Sequence, residues 1–146
     1  MERMDKILVP IDFSEISARV VDAAVFFAKK YRAELTVVSV VEDIFSYSGL
    51  SLIGEPLARL GIDRLDTSEQ KMTAFLAEHL ADVPVSYQSK ILQGQAADEI
   101  LQFAEAGGFD LIVMGTHGYR GFEKMLIGSV TNKVLRLAAC PVLSLR

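Results

Sequence analysis

The sequence predicts a single α/β domain over residues 1–146: a doubly wound, five-stranded parallel sheet with helices on both faces. Three observations carry that expectation. Short apolar runs alternate with helical patterns along the whole chain, in the order β-α-β-α-β-α-β-α-β. Several strand runs are continuously apolar, which is what burial on both faces of a parallel sheet produces. The length of 146 residues, with 51% hydrophobic and 23% charged, matches one ordinary globular domain.

The elements follow in order. Lys6 to Ile11 is brief, continuous and β-branched, and reads as a buried first strand. Asp12-Phe13-Ser14 follows, with Ser14 placed to cap a helix whose apolar positions Val20, Ala24, Phe27, Ala28 and Tyr31 keep a 3.6-residue period. Leu35 to Val41 is a valine-rich second strand. Glu42 to about Gly61 has Ser, Gly and Pro without a clean period, and reads as a long connection. Leu65, Met72, Phe75, Leu76 and Leu80 line one face of a second helix. Val85, Tyr87, Ser89 and Ile91 alternate with Ser86, Gln88 and Lys90, the pattern of a half-exposed strand at a sheet edge. Past Gly94, a third helix carries Ile100, Leu101, Phe103 and Ala104 and ends at Gly107-Gly108. Leu111 to Met114 is fully apolar and therefore central. A fourth helix from Ser129 carries Val130, Val134 and Leu137, and Pro141 to Leu145 forms a fifth strand.

Composition excludes several classes. A disordered chain would be poorer in apolar residues, and no apolar run reaches the roughly 18–20 residues of a membrane span. The N-terminus lacks a signal-peptide pattern and the lone Cys140 offers no internal disulfide, so a cytoplasmic protein is expected. Cys140 reads as a small buried residue rather than a reactive thiol. With only His79 and His117 as histidines, metal ligation by side chains is not expected. The net charge of −4 argues against nucleic acid as a partner. It is unevenly spread: Gly115 to Arg136 holds Arg120, Lys124, Lys133 and Arg136 against Glu123, a local +3, leaving −7 for the remainder. That points to a small anion bound there, or to a solvated basic helix face.

In open parallel sheets, ligands bind beyond the carboxyl ends of the strands where strand order reverses. The first and fourth strands read as the most buried, which directs attention to the loops at 10–14 and 115–129. The second loop puts Gly115 and Gly118 directly after a strand, and Gly128-Ser129 at a helix start. This is a phosphate cradle in two parts. Glycines admit positive φ and close approach of N–H groups, while the helix start adds amides, its dipole and the Ser129 hydroxyl, with Thr131 able to contribute similarly. The plainer alternative is a helix cap and ordinary turns. Neither a Walker loop nor G-x-G-x-x-G is present.

Gly115-x2-Gly118-x9-Gly128-Ser129 resembles the G-2x-G-9x-G-[ST] signature of the nucleotide-binding branch of the universal stress protein family. The likeness extends to the Lys6–Asp12 opening, the Asp110–Gly118 stretch and the closing Cys140-Pro141-Val142. It implies strand order 3-2-1-4-5 and a site for ATP or another adenine nucleotide, with Mg or Mn on the phosphates left open. By similarity, Pro10, Ile11 and Asp12 flank the nucleoside, the Asp12 carboxylate bonding adenine or ribose. Val41 contacts adenine, Met114 and Gly115 lie beside the ribose, and Gly118, Gly128, Ser129 and Val130 surround the phosphates. Asp12 as a helix-cap acid, and Val41 and Met114 as core, are the alternatives. Arg120 and Lys124 either screen phosphate or stand in solvent. His117 invites an acid–base role, but orders the loop in the simpler reading. The segment Phe45–Leu52 aligns with nothing familiar.

Three functions follow: a nucleotide-dependent regulator, a scaffold without nucleotide, and a slow ATPase, ranked in that order. No residue is assigned as catalytic, because no general base or arginine-finger pattern is evident. The apolar fifth strand, residues 141–145, lies at a sheet edge in the family and pairs there with a second subunit, which implies a homodimer. The effector partner is not named by the sequence.

Overall fold

The computed structural model describes residues 3–42, 55–116 and 127–146, with 55–63 described through their backbone. The elements are β1 (Lys6–Pro10), α1 (Glu15–Tyr31), β2 (Glu34–Val41), α2 (Glu55–His79), β3 (Tyr87–Gln93), α3 (Ala96–Gly107), β4 (Leu111–Gly115), α4 (Ser129–Leu137) and β5 (Val142–Leu145). All strand pairs are parallel, in the order β3-β2-β1-β4-β5. Fold class and strand order are as expected.

Side-chain alternation assigns the two faces. Ile7, Val9, Leu35, Val37, Leu111 and Val113 join Val20, Val21 and Ala24 of α1 and Met72, Leu76 and Leu80 of α2 in one core. Leu8, Val38, Ile112 and Met114 join Ile100 and Ala104 of α3 and Val134 of α4 in the other. Successive strand residues thus enter opposite cores, so the three inner strands β2, β1 and β4 must be apolar at nearly every position. β2 is as deeply buried as β1 and β4, with Leu35, Val37 and Val38 at 0% exposure.

The strand ladders have one interruption that matters for the site. The Glu34 amide donates to the Asp5 carbonyl and the Ile11 amide to the Val38 carbonyl, so odd-numbered residues of this segment bond toward β2. The Asp110 amide donates to the Lys6 carbonyl, so even-numbered residues bond toward β4. Pro10 is even-numbered and has no N–H. The β1–β2 register runs from Lys6↔Glu34 to Pro10↔Val38, whereas the β1–β4 register holds only Ile7↔Leu111 and Leu8↔Ile112. The ladder ends where its next donor would have been Pro10.

Several boundaries depart from expectation. The first strand ends at Pro10 rather than Ile11, although Ile11 keeps its bond to β2. Residues 55–61, read as connection, open the 25-residue α2. Pro56 sits in its first turn, where a missing N–H costs nothing, and the cost of Gly61, about 1 kcal/mol, is spread over a long helix. Tyr31 and Leu137, expected on buried faces, are 46% and 60% exposed. Each ends its helix, beyond the sheet that the preceding turns cover. β3 is an edge strand, but Leu92 rather than Val85 or Tyr87 supplies its buried side chain. α3 ends as expected, with Gly108 in the left-handed region at φ 62. Cys140 is half-buried rather than buried, and burial pushes its thiol pKa up.

Ile112 is fully buried in the α3–α4 core. Ile112→Ala is expected to destabilise the fold by about 2–5 kcal/mol, read as a lower urea midpoint at constant slope. Leu137→Ser, on an exposed position, is expected to change it by about 0.5 kcal/mol or less.

Candidate functional site

The site is built from three chain segments at the carboxyl ends of the strands. The first is the turn from β1 into α1. Pro10 and Ile11 are buried and Asp12 is exposed. Phe13 has φ 63, left-handed backbone that a bulky residue rarely adopts. Such a conformation costs roughly 1–3 kcal/mol and persists only when packing holds it. Here the Phe13 ring meets Phe75 of α2 edge to face at 6.0 Å, and Phe75 lies 4.4 Å from the His79 ring. An aromatic contact of this kind contributes about 0.5–1.5 kcal/mol.

That turn fixes the Asp12 carboxylate. Its Oδ1 accepts from the Ser14 amide at 3.0 Å and the Ser17 hydroxyl at 3.3 Å. Ser14 occupies the expected cap position, but its side chain makes no capping hydrogen bond, and its buried Oγ has no partner among the described residues. Asp12 instead accepts from the amide of the cap residue itself and from the Ser17 hydroxyl, while the Ser17 amide donates to the Ser14 carbonyl.

The second segment is the end of β2. Val41 is half-buried, and its carbonyl accepts the Gly94 amide at 3.0 Å, tying the end of β2 to the β3–α3 turn.

The third joins the end of β4 to the start of α4. Met114 is 4% exposed and belongs to the α3–α4 core. The Thr131 hydroxyl donates to the Gly115 carbonyl at 2.7 Å, and the Gly128 amide to the Thr116 carbonyl at 2.7 Å. These two bonds clamp the first turn of α4 against the end of β4. Sequence reasoning placed Thr131 as a candidate ligand donor; in the structure its hydroxyl holds the backbone, and it is 4% exposed. Thr116, missed in the sequence, supplies the second anchor. The first helical bond runs from the Asn132 amide to the Gly128 carbonyl. The amides of Ser129, Val130 and Thr131 therefore have no acceptor within the helix.

Two expectations need correction. Of the glycines expected to use positive φ, Gly118 lies outside the described residues; among the described ones Gly128 has φ −56, and the positive-φ glycines are Gly94 and Gly108 rather than Gly115 or Gly128. What Gly128 contributes is a missing side chain at the helix cap. The basic stretch also divides. The Lys133 ammonium pairs with Asp98 of α3 at 2.6 Å, and Arg136 lies in the last turn of α4, about 10 Å along the axis from Ser129 at 1.5 Å per residue. Neither charge belongs to the clamped helix start. His117, Gly118, Arg120 and Lys124, and the segment Phe45–Leu52, lie outside the described residues.

Among the described residues, no group of three His, Cys, Asp or Glu side chains could hold a metal ion. No helix among them is long and apolar enough to cross a membrane. What the described elements provide is a carboxylate fixed at one side of the interrupted ladder and a row of helix-start amides at the other. The chemistry that suits this pair is an anion joined to a hydrogen-bonding group.

Comparison with known proteins gives a consistent picture. The profile of the universal stress protein family matches residues 4–146. The chain is 35% identical over 146 residues to universal stress protein YxiE of Bacillus subtilis, covering 97% of this chain and 99% of that protein. The structure of MJ0577 from Methanocaldococcus jannaschii superposes with a TM-score of 0.83 at 29% identity, covering 97% and 94% of the two chains. A universal stress protein of Archaeoglobus fulgidus in complex with dAMP shares the fold, with a TM-score of 0.70 at 19% identity over the whole of both chains.

The clamp generates a prediction of its own. Thr131→Val removes the hydroxyl bonded to the Gly115 carbonyl and is expected to cost about 1–3 kcal/mol, whereas Thr131→Ser retains most of the stability. Equal stability of Thr131→Val and wild type in urea denaturation would contradict the role given to this bond.

Proposed function

The chain belongs to the universal stress protein family, and on that premise we propose that it binds ATP or a related adenine nucleotide at the carboxyl edge of its sheet. The observation that carries the reading is the start of α4. The chain is turned there so that Ser129, Val130 and Thr131 offer amides, while the cap residue, Gly128, has no side chain to obstruct them. A phosphate chain fits that arrangement, since helix-start amides and the helix dipole both favour negative charge. The complexes known among relatives, such as the dAMP complex, support an adenine nucleotide over a bare anion.

In this reading Pro10, Ile11 and Asp12 flank the nucleoside, with Asp12 accepting a hydrogen bond from ribose or adenine. Val41 borders the adenine, and Met114 and Gly115 the ribose. Gly118, Gly128, Ser129 and Val130 surround the phosphates, with His117 and Arg120 as further candidates for contact. Thr131 acts through the backbone it holds. A Mg or Mn ion, where one accompanies the nucleotide, is held through phosphate oxygens. No residue is assigned a catalytic role: the proposed activity is binding, with the nucleotide changing which surface the domain presents.

The same reading makes the protein a homodimer. β5 has β4 on one side and is the last strand of the sheet, with Val142, Leu143 and Leu145 half-buried. Pairing with the same strand of a second copy about a two-fold axis covers this apolar edge. Sedimentation at micromolar concentration is expected to give a dimer; a monomer would contradict the pairing.

The site is tested by two substitutions and calorimetry. Gly128→Asp places a carboxylate beside the phosphate amides and is expected to abolish ATP binding. Its φ of −56 is open to any residue, and Asp is a favoured helix cap, so folding is expected to survive. Asp12→Ala is expected to weaken ATP while leaving inorganic polyphosphate binding unchanged. Unaltered ATP affinity in Gly128→Asp would overturn the assignment.

A further inference from the structure

We propose that Phe75, a residue of α2 outside the site, is a positioning residue for Asp12, acting through the left-handed backbone of Phe13. The nucleotide part of this inference rests on the reading above; the structural part does not.

Asp12 and Ser14 flank a residue in an unfavourable conformation. With φ 63 at Phe13, the chain turns so that the Ser14 amide and Ser17 hydroxyl both reach Asp12 Oδ1. A phenylalanine does not hold φ 63 unaided, because its Cβ crowds the following carbonyl. Phe13 packs against the core shared by the sheet, α1 and α2, and its ring contact there is with Phe75. The Phe13 ring packs edge to face on Phe75, at 6.0 Å and 72° between planes. Phe75 is half-buried, backed by His79 at 4.4 Å, and fixed on the same helix face as the buried Met72 and Leu76. The aromatic contact and the carboxylate are therefore two ends of one constraint: removing the ring frees the Phe13 backbone, and the turn that aims Asp12 relaxes with it.

One consequence is regulatory. Phe75 belongs to α2, so a shift of α2 against the sheet is felt at Asp12 through the contact with Phe13. The nucleoside end of the site is coupled to α2, whereas the phosphate end is held by the separate clamp between β4 and α4.

A second consequence is a rescue that a merely structural role would not give. Glycine adopts positive φ without strain, so Phe13→Gly makes the turn independent of Phe75. The experiment compares wild type, Phe75→Ala, Phe75→Leu and the double variant Phe13→Gly/Phe75→Ala. Ser14 amide exchange is followed by NMR without ligand, and ATP and tripolyphosphate binding by calorimetry. In Phe75→Ala, Ser14 exchange is expected to rise about tenfold while the Val21 amide in the middle of α1 keeps its protection. ATP affinity is expected to fall about threefold to tenfold, with tripolyphosphate affinity unchanged. The double variant is expected to recover both. Should Phe75→Ala fail to fold, Phe75→Leu, which keeps most of the volume but no ring edge, carries the same expectations. Unchanged Ser14 exchange in the Phe75 variants, or no recovery in the double variant, overturns the proposal. If wild type binds no ATP, the nucleotide reading fails, and the exchange and rescue data still decide the role of Phe75.

Discussion

The rest of the site depends on a hydrogen bond that Pro10 cannot make. In a parallel sheet each strand bonds alternately to its two neighbours, and the amide missing at Pro10 belongs to the side facing β4. The ladder to β2 continues through Pro10 and on to the Ile11 amide, while the ladder to β4 stops after Leu8 and Ile112. Strand order reverses between these same two strands, with β2 and β3 on one side and β4 and β5 on the other. Topology sends the two following connections to opposite faces of the sheet, and the proline releases the strands from each other at that point. A crevice at the reversal is thus written into both the connectivity and one residue.

The two walls of that crevice are secured in different ways. On the β1 side the constraint is conformational: a left-handed Phe13 in aromatic contact with Phe75, with Asp12 bonded to the amide of the cap residue Ser14. On the β4 side it is a pair of hydrogen bonds, each to a carbonyl just past or at the strand end, that set the first turn of α4. The β4-side device uses polar groups to fix backbone. The Thr131 hydroxyl and the Gly128 amide are committed within the chain, and in the proposed reading it is the amides of residues 129–131 that meet the phosphates. The electrostatic contribution of α4 itself is that of its dipole, since Lys133 is paired with Asp98 and Arg136 lies at the far end.

Fold and site were legible in the sequence to different degrees. Continuous apolar strands separated by periodic helices identify a two-faced parallel sheet because burial on both faces leaves no room for polar alternation, and the strand sequences KILV and LIVM carry that signal plainly. The glycine spacing located the α4 cap for a related reason: a strand end followed by a side-chain-free helix cap is a local pattern. What the sequence did not display are properties that arise between segments. That Thr131 reaches Gly115, that Lys133 is neutralised by Asp98, and that Phe75 supports Phe13 all depend on side chains far apart in the chain. Helix ends depart from the pattern where the apolar period outlasts the sheet beneath it, as at the exposed Tyr31 and Leu137. The start of α2 was missed because proline and glycine near its beginning resemble loop punctuation. The sequence places Pro10 in the first strand and beside the nucleoside, but its missing donor accounts for the end of the ladder only once the direction of each strand amide is known.

The central claim is that the interrupted ladder and the clamped helix start together form a site for an adenine nucleotide. The most direct measurement is mass spectrometry of the small molecules released when freshly purified protein is denatured, set beside the shift in melting temperature when ATP is added to the emptied protein. A released adenine nucleotide, with a rise in melting temperature that is lost in Gly128→Asp, is the predicted result. An empty protein whose melting temperature does not respond to ATP would contradict the claim and leave the domain as a scaffold.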